Sequence, residues 1–329
     1  MLSKTILFVC FLCINILGEA IIAGTRPIVM ATRGVVVTGH HRASDAGLEM
    51  LKKGGNAIDA GVAAVFAQTV VEFDRFGLGG EVPILIHLAP QNKVVVINGQ
   101  GFAPRRATIE WFQEHNIDHI PGDGFLGAVV PSVVDTLLLA LKEFGTLSLA
   151  DVLAPAIELA ENGFPIYGQF RGHILEQEQR FRTEWNSSAK IFLPEGNVPA
   201  LSDLFIQKDL AKTLKRLVAA EEANKHRGRA VSLQAVRDLF YRGELAREII
   251  ACQKDFKSSD ANGMVSAGLL EVEDFAQYRS VIEEPAKTTY RGIEVYKAGF
   301  WSQGPVLLQT LNILEGYELK KLGHNTPAY

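Results

Sequence analysis

Ala43-Ser44-Asp45-Ala46-Gly47, Lys53-Gly54-Gly55-Asn56-Ala57-Ile58-Asp59-Ala60 and Gly77-Leu78-Gly79-Gly80 read as helix, glycine stop, helix and glycine loop. Helix formers fill Ala43 to Lys52, with Leu48 and Leu51 on one side. Gly54-Gly55 ends that helix, because glycine accepts the left-handed backbone of a C-cap. Asn56 is a good N-cap for the next one, and Asp59 puts a negative charge where the helix dipole favours it. The second helix, Ala57 to Val71, has small residues at Ala57, Ala60, Gly61, Ala63, Ala64 and Ala67. With no bulky side chains there, other backbone can pack close. Phe76 to Gly80 follows as a loop where backbone could approach a ligand.

Outward from this core, Ile84–His87 and Val94–Asn98 flank Pro90-Gln91-Asn92 as a hairpin, which delivers Gly99-Gln100-Gly101-Phe102-Ala103-Pro104 at its far end. Before the core, Gly34–Val37 reads as a strand leading to His40-His41. No carboxylate at helical spacing accompanies these histidines, so they read as a polar strand end rather than a metal site. After the hairpin, Thr108 opens a helix with Trp111 and Phe112 inward. Val133 to Phe144 and Leu149 to Gly163 are helical, the second closed by Gly163-Phe164-Pro165. Arg171 to Lys215 is polar and mixed. Residues 216–248 are helical and charged, with Glu221 to Arg229 as a solvated insertion. The fold class is α/β in the layered α+β sense, with helices packed on antiparallel sheet.

The chain has 329 residues, 47% hydrophobic and 21% charged, which is enough to bury a substantial core. A formal net charge of −4 gives no sign of a nucleic-acid partner. Of the three cysteines, Cys10 and Cys13 fall in the N-terminal apolar run, which leaves Cys252 alone and excludes a disulfide framework in the folded body. Met1 to Ala20 reads as a secretory signal peptide: Lys4 is the charged start, Ile6 to Leu17 the apolar run, and Gly18-Glu19-Ala20 the small-residue cleavage site. This predicts a secreted or periplasmic protein whose mature chain, residues 21–329, begins near Ile21. Gly77 to Val82 lacks the last glycine of a dinucleotide fingerprint and follows a helix. Ser187-Ser188-Ala189-Lys190 matches S-x-x-K by count but without that class's other motifs. Asn186-Ser187-Ser188 is a glycosylation sequon. No cofactor motif and no metal motif is read.

The run Lys53 to Ala60, the loop Gly77–Gly80 and Ala103-Pro104…Ala107-Thr108 resemble the gamma-glutamyltransferase (glutathione hydrolase) family of N-terminal-nucleophile hydrolases. So do Phe240-Tyr241-Arg242-Gly243-Glu244-Leu245-Ala246, Gly268-Leu269-Leu270…Glu273-Asp274-Phe275…Tyr278, Pro285…Tyr290-Arg291-Gly292…Val295-Tyr296 and Gln303-Gly304-Pro305. The resemblance runs in order from about residue 30 to Tyr329. It implies part of an αββα sandwich: one face of it plus a helical region at about 130–250. It also implies that the γ-glutamyl amide of glutathione is cleaved through a threonine acyl-enzyme, with transfer to water or to amino-acid or peptide acceptors. In the family that threonine is the first residue of a small subunit made by self-cleavage of the same precursor. No Thr-Thr-His-like segment occurs here, and Thr288-Thr289-Tyr290 fits better as the entry to a Tyr290–Tyr296 strand. The chain is therefore expected to be the large-subunit region, inactive alone, with the nucleophile beyond Tyr329.

Two departures stand out. Ser132 replaces the glycine of the family's Pro-Gly turn. Gln100 stands where the family has the arginine that binds the substrate α-carboxylate, and Gly101 stands where a glutamate is usual. Gln100 is thus the candidate substrate-binding residue, with Arg105 and Arg106 as nearby cations that could compensate or simply be a solvated helix start. A related acylase cleaving another amide, such as a cephalosporin side chain, and a non-catalytic secreted remnant are the rival readings.

Overall fold

The computed structural model describes residues 28–255, 258–260 and 263–329. The predicted signal peptide, with Cys10 and Cys13, lies outside them. Met1–Val35 and Val36–Tyr329 are separate units, and the described helices and strands all belong to the second. Gly34–Val37, expected as a strand, pairs with no strand among the described residues.

The helices are α1 (His41–Lys52), α2 (Ala57–Val71), α3 (Ile109–Glu114), α4 (Val133–Phe144), α5 (Leu149–Asn162), α6 (Gly168–Thr183) and α7 (Asn186–Phe192). They continue with α8 (Lys208–Asn224), α9 (Arg229–Tyr241), α10 (Glu244–Asp255), α11 (Val272–Gln277), α12 (Gly304–Glu315) and α13 (Leu319–Leu322). The longer strands are β1 (Ile84–Leu88), β2 (Lys93–Asn98), β3 (Val281–Glu283), β4 (Ala286–Tyr290) and β5 (Ile293–Lys297).

The glycine stop forms as expected. Gly54 takes φ +88°, its N–H reaches Leu51 O at 3.2 Å, and the Gly55 N–H reaches Met50 O at 2.9 Å, a Schellman closure. Asn56 then caps α2. Its Oδ1 accepts from Ile58 N at 2.8 Å and Asp59 N at 3.1 Å, and its own N–H donates to Asp59 Oδ2 at 2.8 Å. The inward face of α1 differs from the expected one. Ala43, Ala46, Gly47 and Met50 are buried, Leu51 is half-buried, and Leu48 is 38% exposed. The reason is the close crossing of α2: a Cβ on Gly47 would lie 2.9 Å from Ala60 O and 3.3 Å from Ala64 Cβ. A helix that meets its neighbour's backbone turns its small residues inward and sends the leucine out.

β1 and β2 pair antiparallel from Ile84↔Ile97 to Leu88↔Lys93, across a turn that ends in left-handed Asn92. β2 pairs on its other side with β3, through Val96↔Glu283, Ile97↔Ile282 and Asn98↔Val281. β4 and β5 make a second antiparallel pair, turning at Arg291 and Gly292, both with positive φ. The expected Tyr290–Tyr296 strand is therefore divided: Thr288-Thr289-Tyr290 closes β4, and Ile293 opens β5. Above the sheet, α2 packs on α1, α4 and α5; α5 packs on α8, α8 on α9, and α9 on α4.

Three further expectations change. Trp111 and Phe112 are half-buried rather than inward, and Trp111 stacks on His115 at 4.0 Å. The polar stretch from Arg171 holds most of α6, which sends Phe170, Ile174 and Phe181 inward at a spacing that charged neighbours mask. The segment Glu221–Arg229 is not simply solvated. Glu221 is 3% exposed, and its carboxylate accepts the N–H groups of Leu149 at 2.9 Å and Ala150 at 3.1 Å. Arg229 donates to Leu147 O at 2.7 Å and Leu141 O at 2.8 Å. Charged side chains are held there because they satisfy groups that helix ends leave unpaired.

Candidate functional site

Three loop segments meet at the end of the hairpin. The Val82 N–H donates to Gly99 O at 3.0 Å, and the Ser132 N–H donates to Gly80 O at 3.1 Å. The Ser132 hydroxyl, fully buried, lies 2.5 Å from Gly99 O and 3.2 Å from Gly80 O. A serine at this turn therefore gains a clasp that glycine would lack. The glycines here answer to the chain's own backbone: a Cβ on Gly99 would sit 2.2 Å from Val82 O, and one on Gly101 would sit 2.1 Å from Val130 O. Gly79, by contrast, faces open space.

Gln100 sits between these contacts. Its side-chain amide donates to the Glu81 carboxylate, and its backbone N–H donates to Asn98 Oδ1 at 3.1 Å. Its carbonyl accepts the Tyr278 hydroxyl at 3.2 Å. Burial pushes the Tyr278 phenol up, so it stays a neutral donor. Beneath, the Ser280 Oγ lies 2.7 Å from Thr136 Oγ1. The buried Asp135 carboxylate accepts the Ser280 N–H at 2.6 Å and the Arg237 Nε–H. The Tyr241 hydroxyl donates to Pro131 O at 2.7 Å and receives the Asp135 N–H at 3.0 Å. Its pKa stands well above the ordinary value, first through burial and then through the Asp135 charge.

Arg105 and Arg106 lead elsewhere. Arg105 Nε lies 3.1 Å from Asp274 Oδ1 and its Nη2 3.8 Å from Glu271; Arg106 Nη1 lies 3.9 Å from Glu271. Asp274 is fully buried and also accepts the Glu271 N–H at 2.9 Å, so these two arginines meet the start of α11. Glu81 was missed by sequence reasoning, although a signal for it existed. The register Ile84↔Ile97, continued outward, sets position 81 opposite position 100.

A groove of about 960 Å³ runs along the outer edge of β1, lined among others by Ile58, Gly61, Val65, Ile84, Leu88 and Leu137. That edge has no strand partner among the described residues. His40 caps α1, its Nδ1 accepting the Arg42 N–H at 3.2 Å, and its ring stacks on His41 at 4.5 Å. Among the described residues no cluster of His, Cys, Asp and Glu has the makings of a metal site, and no helix is long and apolar enough to cross a membrane. Cys252 is a free, exposed thiol.

The family model described as gamma-glutamyltranspeptidase matches residues 43–329. The chain belongs to the gamma-glutamyltranspeptidase family. It is 35% identical over 302 residues to the glutathione hydrolase-like YwrD proenzyme of Bacillus subtilis, covering 92% of this chain and 52% of that protein. It is 36% identical over 302 residues to the acylase ACY 1 proenzyme of a Pseudomonas species, covering 89% and 49%. Among solved structures it superposes on Helicobacter pylori gamma-glutamyltranspeptidase with a TM-score of 0.78 at 31% identity, over 92% of this chain and 80% of that one. It also superposes on the cephalosporin acylase of Bacillus halodurans with a TM-score of 0.72 at 28% identity, over 93% and 54%. The fold is thus that of the gamma-glutamyltranspeptidase members of the N-terminal-nucleophile hydrolases. The chain spans about half the length of the curated relatives it matches.

Proposed function

We propose that the complete protein cleaves a γ-glutamyl amide, such as that of glutathione, and passes the acyl group to water or to an amino-acid or peptide acceptor. The observation that carries this reading is the family match over residues 43–329. The nucleophile is a threonine whose own α-amine is the general base, so it exists only after cleavage of the precursor. In this proposal it lies beyond Tyr329 in a small subunit, and the large-subunit region is inactive by itself. Backbone donors from that subunit stabilise the oxyanion of the acyl step. The protein is secreted or periplasmic, and N-terminal sequencing of the exported form is expected to begin near Ile21 rather than Met1.

A second reading, acylase action on an amide without a free α-carboxylate, is favoured by the contact between Gln100 and Glu81. If Gln100 lines the acyl pocket, that pocket presents a neutral amide tied to an acid, where a bidentate arginine would favour a carboxylate. The test is kcat/KM of the complete protein on γ-glutamyl and glutaryl anilides. A γ-glutamyl preference supports the first reading, and a glutaryl preference supports the second. Gln100→Arg with Glu81→Gln frees a guanidinium at this position and is expected to raise kcat/KM on the γ-glutamyl anilide ~10-fold, since a charged hydrogen bond exceeds a neutral one by about 1.4 kcal/mol. No change in either direction would remove Gln100 from the pocket.

A further inference from the structure

A second cleft, of about 170 Å³, opens between α4, α9 and the segment that carries Arg279 and Ser280. At ~30 Å³ per water it holds about six waters. Its polar lining is three cations, Lys142, Arg237 and Arg279, with Asp135, Gln234 and Ser280. Arg237 is 6% exposed and commits Nε to Asp135 and Nη2 to the Tyr278 carbonyl. Its Nη1 is buried and makes no hydrogen bond; Asp238 stands off at 3.9 Å. A buried guanidinium N–H without an acceptor is costly, and an acceptor in the cleft would remove that cost once a small shift of the Arg237 side chain brought Nη1 to it.

Arg279 lines the same cleft and is matched with no carboxylate among the described residues. Its Nη1 meets two main-chain oxygens, Tyr278 O at 2.6 Å and Ala276 O at 3.4 Å. Burial, and then repulsion from Arg237 and Arg242, lowers its pKa. Lys142 stands at the rim, bound to Glu143 at 2.8 Å. The one acid that lines the cleft besides these cations, Asp135, already accepts from Arg237 and from the Ser280 N–H. Leu138, Leu139 and Leu233 supply the apolar part of the wall.

We propose that this cleft binds a small aliphatic monocarboxylate, its oxygens held by Arg237 Nη1 and Arg279 with Lys142 at the mouth, and its short tail against the leucines. Two planar guanidinium groups suit a carboxylate, and three leucines suit a tail that inorganic phosphate does not have. The cleft shares Asp135, Arg237 and Ser280 with the network beneath Gln100, and the proposal does not depend on the reading of the reaction.

The experiment is a titration of the thermal midpoint of the complete protein with sodium butyrate, with sodium phosphate and with sodium chloride at matched ionic strength. Butyrate is expected to raise the midpoint saturably, phosphate more weakly, and chloride not at all. Arg279→Gln, an exposed position, is expected to raise the half-saturating butyrate concentration ~10-fold, the loss of one charge-assisted pair. Lys142→Gln is expected to raise it by a smaller factor, and it carries the test if Arg279→Gln fails to fold. Identical midpoints in butyrate and chloride, or a half-saturation unmoved in both variants, would overturn the site. Tighter saturation by phosphate than by butyrate would overturn its assignment to a carboxylate.

Discussion

The carboxylate of Asp59 gathers donors from two separate segments. Asn56 N–H reaches it at 2.8 Å, Thr146 N–H at 2.8 Å, Leu147 N–H at 3.0 Å and the Thr146 hydroxyl at 2.6 Å. Burial is the largest single influence on this group and pushes its pKa up. The donors on Thr146, Leu147 and Asn56 together outweigh it and hold the pKa below 3.8. A carboxyl depressed in the folded state adds stability that is fully present above its unfolded pKa and is lost as pH falls through the folded one. Asp59→Asn keeps the shape and removes the charge, and is expected to cost ~1–3 kcal/mol near neutral pH. Below pH 3.8 the difference in urea midpoint between the variant and the parent is expected to close. A difference that stays constant on acidification would show that shape, not charge, holds these donors.

At the scale of elements, the crossing of α1 on α2 rests on small residues. Ala64→Leu is expected to overpack it and cost ~1–3 kcal/mol, read as a lower denaturation midpoint. Gly61 lies on the opposite, open face of α2, where a Cβ would meet nothing within 4 Å. Gly61→Ala is accordingly expected to stabilise the isolated chain by ~0.5–1 kcal/mol. Much of this architecture was legible. The Gly54-Gly55 stop, the Asn56 cap and the hairpin are local chemistry, and local chemistry is written in adjacent residues. The face of α1 was not, because Leu48 and Leu51 give an ordinary apolar signal and only the neighbouring backbone decides which side it touches. The burial of Glu221 was hidden for a like reason: its partners Leu149 and Ala150 are far away in the chain. At the candidate site the position of Gln100 at the hairpin end was readable. Its partners Glu81 and Tyr278 required the strand register and a long-range contact.

Among the described residues, apolar surface is open at the groove beside β1 and in the region of α12 and β5, where Phe300 is 90% and Ile313 is 65% exposed. Unpaired strand edges and contiguous apolar faces invite association. Residues 21–329 expressed alone are expected to self-associate in sedimentation experiments; a monodisperse monomer with one cooperative melt would contradict this. If the proposed small subunit covers the groove in the complete protein, the gain from Gly61→Ala is expected to vanish there. The network under Gln100 also has a consequence for the order of synthesis. Asp135 and Thr136 are made early, yet their partners Arg237 and Ser280 come more than a hundred residues later, and β3 adds the third strand later still. Closing contacts over such spans is slow and waits for the distant partner to exist. While the ribosome is still short of Val281, the loop Gly77–Gly80 and the turn at Ser132 have no floor to rest on. Stalled nascent chains ending before Val281 are expected to be cut by protease in these loops, and chains that extend well past Glu283 to resist it, so this site takes shape only near the end of translation.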